Sequence, residues 1–222
     1  MSTGQGENMQ DQVVTAKPLT EKQLTVLQAA SDVFLEHGFS AATTDMIQQR
    51  AGVSKATVYA FCTSKEALFS AVIEHQCAKM TQAVRNILPT SGDLEGTLKK
   101  LGLAYLGIIF SPKGLALYRV VMGECQRFPA LGHIFWQSGP ATIVKMVEEH
   151  LQNAVQAGDI ALQRTGTHLA ARQFVSLLRG ESYNEYLTHP AAIPTDGQVE
   201  RWVEQAVDTF LRAFRCSEKP TV

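Results

Sequence analysis

Along most of this 222-residue chain, apolar side chains recur every three or four residues, and glycines, prolines and capping residues cut the runs at short intervals. Leu24, Leu27, Ala30 and Phe34 share one helical stripe that stops at Gly38. Phe69, Ile73, Cys77, Met80, Val84 and Ile87 share a longer one that stops at Pro89, and Leu94, Leu98, Leu101, Tyr105 and Ile108 a third that stops at Ser111-Pro112. No stretch of useful length alternates apolar and polar residues as a half-buried strand does, and no repeat of solenoid period occurs. The pattern predicts an all-α fold of about nine or ten helices.

The punctuation also predicts where helices begin and end. Thr20 with Gln23 reads as a capping box, and Thr43 or Thr44 caps a short helix running to Arg50. Gly52 supplies the left-handed residue of a sharp turn. Ser54 then caps a second short helix reaching about Phe61, and Ser64 caps a long one through Leu88. Further helices are expected over Gly114 to Arg127, around Ile143 to Ala154, over Thr167 to Leu187 and over Gln198 to Phe214, with Pro129 and Gly139-Pro140 punctuating the second half. Residues 1–17 are rich in Gln, Gly, Ser and Thr and read as a tail, as do 217–222. Between the tails we expect a head over 18–70 and a larger body over 71–216.

Composition narrows the function classes. The chain is 45% hydrophobic and 18% charged, an ordinary globular balance, and its net charge is −1. No apolar run is long enough to span a bilayer and no secretory signal is visible, so no membrane partner and a cytoplasmic location are expected. The four cysteines include no CxxC pair and the six histidines have no metal-ligand spacing. No HExxH, GxSxG, Walker A or dinucleotide-binding glycine pattern occurs. The expectation is a protein that is not an enzyme and needs neither a metal nor a cofactor.

Residues 43–61 comprise two helices of about two turns joined by a glycine turn, the layout of a helix-turn-helix. Ile47, Ala51, Val53 and Val58 suit its buried side, which leaves Lys55, Thr57 and Tyr59 free for a groove. Gly38-Phe39, Thr43-Thr44, Ile47, Ala51-Gly52-Val53-Ser54-Lys55, Thr57-Val58-Tyr59 and Ser64-Lys65-Glu66-Ala67-Leu68 together resemble the N-terminal signature of TetR-type transcriptional regulators, nearly continuously over residues 20–70. Ser111-Pro112, Gly114-Leu115-Ala116-Leu117, Arg127-Phe128-Pro129 and Gly139-Pro140 are similar to the AefR-like C-terminal class. The resemblance implies a homodimeric repressor whose two heads read a palindromic DNA operator and whose helical body dimerises and encloses a small-molecule pocket.

By position, the resemblance implies that Thr44, Thr57, Tyr59 and Lys65 hold phosphates while Lys55 and Ala56 face base edges, with Thr43 the alternative to Thr44 as helix cap. Hydroxyl and ammonium donors suit phosphate oxygens. Tyr59 as a half-buried core aromatic and Lys65 as a solvated helix end are the plainer readings. Three positions depart from the family pattern. Asp45 would repel phosphate unless it pairs with a neighbour; Phe61 replaces a hydroxyl or imidazole in the DNA-facing set; Cys62 replaces a core aromatic, with Phe61 able to turn inward in compensation. Cys62 is expected to be buried rather than redox-active. Lys17, Lys22, Arg50, Lys55 and Lys65 face seven acidic residues over positions 1–70, so the head has no basic excess and a shallow salt dependence is expected.

In the body, Tyr105, Phe110, Tyr118, Met122, Phe135, Trp136 and Phe174 form an aromatic and Met-containing set suited to a pocket for an apolar effector. Gln126, His133, Arg172 and Glu181 are candidate polar anchors. Leu177, Leu178, Trp202, Phe210 and Phe214 on the last two helices, with Phe174 and Gly180 beside them, exceed what one small body covers. This predicts a four-helix dimer interface. A regulator of the same fold that senses no ligand, acting through DNA or protein contacts alone, is the rival reading.

Overall fold

The computed structural model describes residues 19–90 and 92–215, so the two expected tails and Cys216 lie outside the described residues. Among the described residues eleven helices follow in order: α1 (Glu21–Ala41), α2 (Thr44–Ala51), α3 (Lys55–Phe61), α4 (Lys65–Arg85), α5 (Leu94–Ile109), α6 (Pro112–Glu124), α7 (Pro129–Ser138), α8 (Pro140–Ala157), α9 (Thr167–Arg179), α10 (Ser182–Thr188) and α11 (Asp196–Phe214). Among the described residues no strand forms beyond an isolated bridge between Ile160 and Arg215, and no single helix is long and apolar enough to cross a membrane. The predicted caps at Thr20, Ser54 and Ser64 are made, and at the second helix Thr43 is the cap, its hydroxyl accepting from the Met46 amide. Gly52 takes the left-handed conformation, with φ of 65°.

The helix count exceeds the expectation because backbone geometry divides the second half more finely. Gly180, at φ 52° and ψ −167°, breaks the expected Thr167–Leu187 helix into α9 and α10, a conformation open to glycine alone at little cost. At Gly139-Pro140 the chain turns directly from α7 into α8, proline occupying the first helical position where its missing N–H costs nothing. Within α1 the helical run breaks at Gly38 as expected, at φ 76° and ψ 165°, and a short turn to Ala41 follows the kink; α4 stops at Arg85 rather than Leu88.

Two apolar cores result. The first holds Phe34, Phe39 and Phe69, with ring centroids 4.7 to 5.8 Å apart, together with Val26, Ile47, Val58 and Ile73. It also takes Leu117 and Val121 from α6 and Leu131 from α7, so the core under the head is completed by helices that lie beyond residue 71. A buried hydrogen bond from the Gln76 amide to the Ser31 hydroxyl, 2.8 Å, pins α4 to α1 within it. The second core packs α5, α8, α9 and α11 around Leu98, Leu106, Leu151, Phe174 and Phe210. Gly102 of α5 allows that packing, since a Cβ there would lie 2.8 Å from Val203 and 2.9 Å from Leu178.

Candidate functional site

Helices α2 and α3 meet across Gly52 and present one polar surface. Thr43, Lys55, Ala56 and Tyr59 are exposed, and Tyr59 at 45% exposure is not a core aromatic. Thr44 and Thr57 are half-buried, and the Thr57 hydroxyl lies 2.9 Å from that of Ser54. Asp45 does pair with a neighbour: it accepts from the Lys55 ammonium at 2.8 Å across the turn. That hydrogen bond holds the Lys55 ammonium above its ordinary range.

Two of the residues expected to face DNA also have partners within the protein. Lys65 donates to the main-chain carbonyls of Ser40 and Ala42, at 3.2 and 3.1 Å, and lies 4.6 Å over the Phe39 ring. It ties the start of α4 to the end of α1 with two of its three donors. Phe61 is half-buried and, like Cys62, packs against the first core, the inward turn expected of it. Burial pushes the Cys62 thiol up, away from the thiolate a redox switch needs. Arg50 is likewise occupied, in a two-pronged pair with Glu36 at 2.9 and 2.7 Å that holds the Glu36 carboxyl below its usual range. Lys55 is therefore the cation of the turn nearest to being available.

Behind this surface, an apolar cavity of about 60 Å³ lies where helices α4 through α10 converge. Tyr105, Tyr118 and Phe135 of the predicted set line it. The others do not: Met122 and Trp136 are exposed at 42% and 49%, Gln126 also faces outward, and Phe174 is buried against Phe210 in the second core. Phe110 stands behind the wall, edge-on to Tyr183 and Tyr186 and 5.3 Å from Trp202. Sequence periodicity missed Thr81, Ile143, Arg179 and Tyr183, which also line the cavity. Of the polar anchors expected, His133, Arg172 and Glu181 are all exposed and outside the lining. The signal that could have found Arg179 and Tyr183 is the break at Gly180, which swings α10 back over the end of α9.

The presumed dimer residues divide as well. Leu178 and Phe210 are buried at 2% and 1% within this chain's own core, so they cannot furnish a surface for a partner. Leu177 is exposed at 41% and Leu169 at 49%, while Trp202 and Phe214 are half-buried. A shallow groove between α9 and α11 is edged by Leu177, Gly180, Trp202, Gln205 and Thr209.

Comparisons with known proteins fall on the same two regions. Residues 26–72 match the bacterial regulatory proteins of the tetR family, and residues 96–216 match the AefR-like transcriptional repressor C-terminal domain. The chain is 36% identical over 92 residues to the HTH-type transcriptional activator FasR of Mycolicibacterium smegmatis, a match spanning 41% of this chain and 42% of that protein. It is similar in structure to the flavonoid-responsive regulator FrrA, with 34% identity, a TM-score of 0.74, and coverage of 87% of this chain and 97% of that one. A TetR-family regulator from Mesorhizobium loti shares the fold at a TM-score of 0.80 and 24% identity, covering 88% of this chain and 97% of that one.

Proposed function

Because the chain belongs to the TetR family of transcriptional regulators, whose DNA-binding head it carries, we propose that it is a homodimeric repressor of a palindromic operator, released by a small apolar effector. The observation that carries this reading is the course of α6. Its Gly114, Leu117 and Tyr118 line the cavity, Leu117 and Val121 enter the core under the helix-turn-helix, and Glu124 accepts from the Ser40 amide at 3.1 Å. A ligand that favours the conformer with displaced cavity walls therefore acts on the head through one rigid element. Such a ligand shifts the equilibrium only by its differential affinity for the two conformers. Helix α4 offers a second connection, since Cys77 and Thr81 line the cavity while Phe69 and Lys65 of the same helix fix the head.

In this reading Thr43, Thr44, Thr57 and Tyr59 hold phosphates, and Lys55 with Ala56 faces base edges. Selecting duplexes from a random pool and measuring binding by fluorescence anisotropy tests it. Tyr59→Phe, which removes only the hydroxyl, is expected to weaken binding to all duplexes by about 1.5 to 3 kcal/mol, the worth of a hydrogen bond to a charged group. Selection that yields no palindrome, or equal loss on specific and nonspecific DNA for Lys55→Ala, counts against the assignments.

The Asp45–Lys55 pair leads to a second expectation. The carboxylate holds the Lys55 ammonium off the backbone, and because the pair is solvent-exposed, removing Asp45 frees the ammonium to meet a phosphate. Asp45→Ala is expected to tighten binding to any duplex and lower discrimination between operator and random DNA. It should also steepen log K against log salt by about 0.9, the increment for one more neutralised phosphate. An unchanged salt slope would show that Lys55 stays off the backbone.

Two observations favour variants of this reading. FasR is named an activator, which leaves the direction of regulation to a transcription assay on the selected operator. The cavity, at about 60 Å³, is well below the roughly 300 Å³ at which drug-sized pockets begin, which favours the non-sensing regulator unless the walls part.

A further inference from the structure

We infer that the cavity is built for an apolar monocarboxylate whose charged end pairs with Arg179; this rests on the effector-binding reading and specifies its ligand. The cavity is lined by apolar side chains, by the phenols of Tyr105, Tyr118 and Tyr183, and by one permanent charge, the Arg179 guanidinium. Among the described residues no carboxylate lines it and none lies within ion-pair distance of Arg179. Arg179 is half-buried and stacks 4.4 Å over the Tyr183 ring, a contact that orients the guanidinium without neutralising it. The Gly180 break makes this possible by folding α10, and Tyr183 with it, over the last turn of α9.

A second group points the same way. Tyr105 is nine-tenths buried, and burial pushes its phenol up to about 12, so at neutral pH it stays an O–H donor. No side chain among the described residues accepts from it. A half-buried guanidinium and an unpartnered phenol beside apolar walls together match a carboxylate with a hydrocarbon body. A second negative charge, as on a phosphate monoester, would have to be desolvated with no second cation to receive it. The space of about 60 Å³ takes the carboxylate and little more. The hydrocarbon body must part Tyr118 from Phe135, now edge-on at 5.9 Å, and displacing Tyr118 moves α6.

The test uses the full chain and matched pairs of probes, octanoate against octanol and cinnamate against cinnamyl alcohol, by calorimetry near neutral pH. The acids are expected to bind about ten- to a hundredfold tighter than the alcohols, the range of a charged hydrogen bond. Arg179→Gln should erase that difference while leaving the alcohols unchanged, and Tyr105→Phe should reduce it. Alcohols that bind as tightly as the acids to the wild-type chain overturn the carboxylate assignment and leave the effector reading standing. Binding of neither class overturns both. An acid preference that survives Arg179→Gln places the anion elsewhere and overturns the assignment; should that variant not fold, the wild-type ratio and Tyr105→Phe decide.

Discussion

Phe210→Asp is expected to give no folded protein, whereas Leu177→Asp should give a folded monomer. Both residues lie on the last long helices and both look like interface from their spacing. Phe210 is 1% exposed, 5.1 Å from Phe174 and 4.9 Å from Phe214 ring to ring. A carboxylate there has no partner and no water, a defect costing more than about 4 kcal/mol, a large share of the stability of an ordinary domain. Leu177 is 41% exposed beside the α9–α11 groove, so a charge costs nothing in the isolated chain and is desolvated only if a second copy covers that face. Circular-dichroism melting and sedimentation separate the outcomes. A folded, monomeric Phe210→Asp would place Phe210 in an interface after all, and a dimeric Leu177→Asp would move the dimer surface off α9.

Phe69→Ala should cost about 3 to 5 kcal/mol, the usual loss for emptying a buried aromatic site. Phe69 is fully buried where α4 meets the head, 4.7 Å from Phe34 and 5.1 Å from Phe39, so its neighbours cannot close the gap without moving α1. Phe39 also meets Phe128, just ahead of α7, edge-on at 4.9 Å, which carries the disturbance into the body. We expect a lower melting temperature and loss of DNA binding together, restored in part by Phe69→Leu. Hydrogen exchange over residues 26–72 would show the local loosening; unchanged protection there would mean that the site collapses without cost.

The capping residues and the Gly52 turn were legible in the sequence because each acts locally: Thr43, Ser54 and Ser64 satisfy amides three residues away. The helix-turn-helix was legible for the same reason. What periodicity does not carry is the direction in which a stripe points once helices assemble. Leu177 and Leu178 are adjacent in sequence, yet one faces out and the other faces Gly102. Tyr118 and Met122 lie one turn apart on α6, and only the first reaches the cavity. The tie that Lys65 makes to α1 is not legible, because its partners, the Ser40 and Ala42 carbonyls, are main-chain atoms over twenty residues away and leave no mark in side-chain pattern. Gly180 alone does not mark a break, because Gly102 and Gly107, set among apolar residues, sit inside α5 without interrupting it.

The borrowing of Leu117, Val121 and Leu131 by the head core sets where this protein can be cut and joined. A chimera that grafts residues 18–70 onto a foreign body would strip three buried side chains from the base of the transplanted unit and leave its aromatic core open to water. A workable exchange takes α6 and α7 along with the first four helices, or transfers those three side chains onto the recipient scaffold. Recombination between relatives meets the same constraint: new operator specificities are free to arise by change within α2 and α3, but wholesale exchange of heads requires a matching socket.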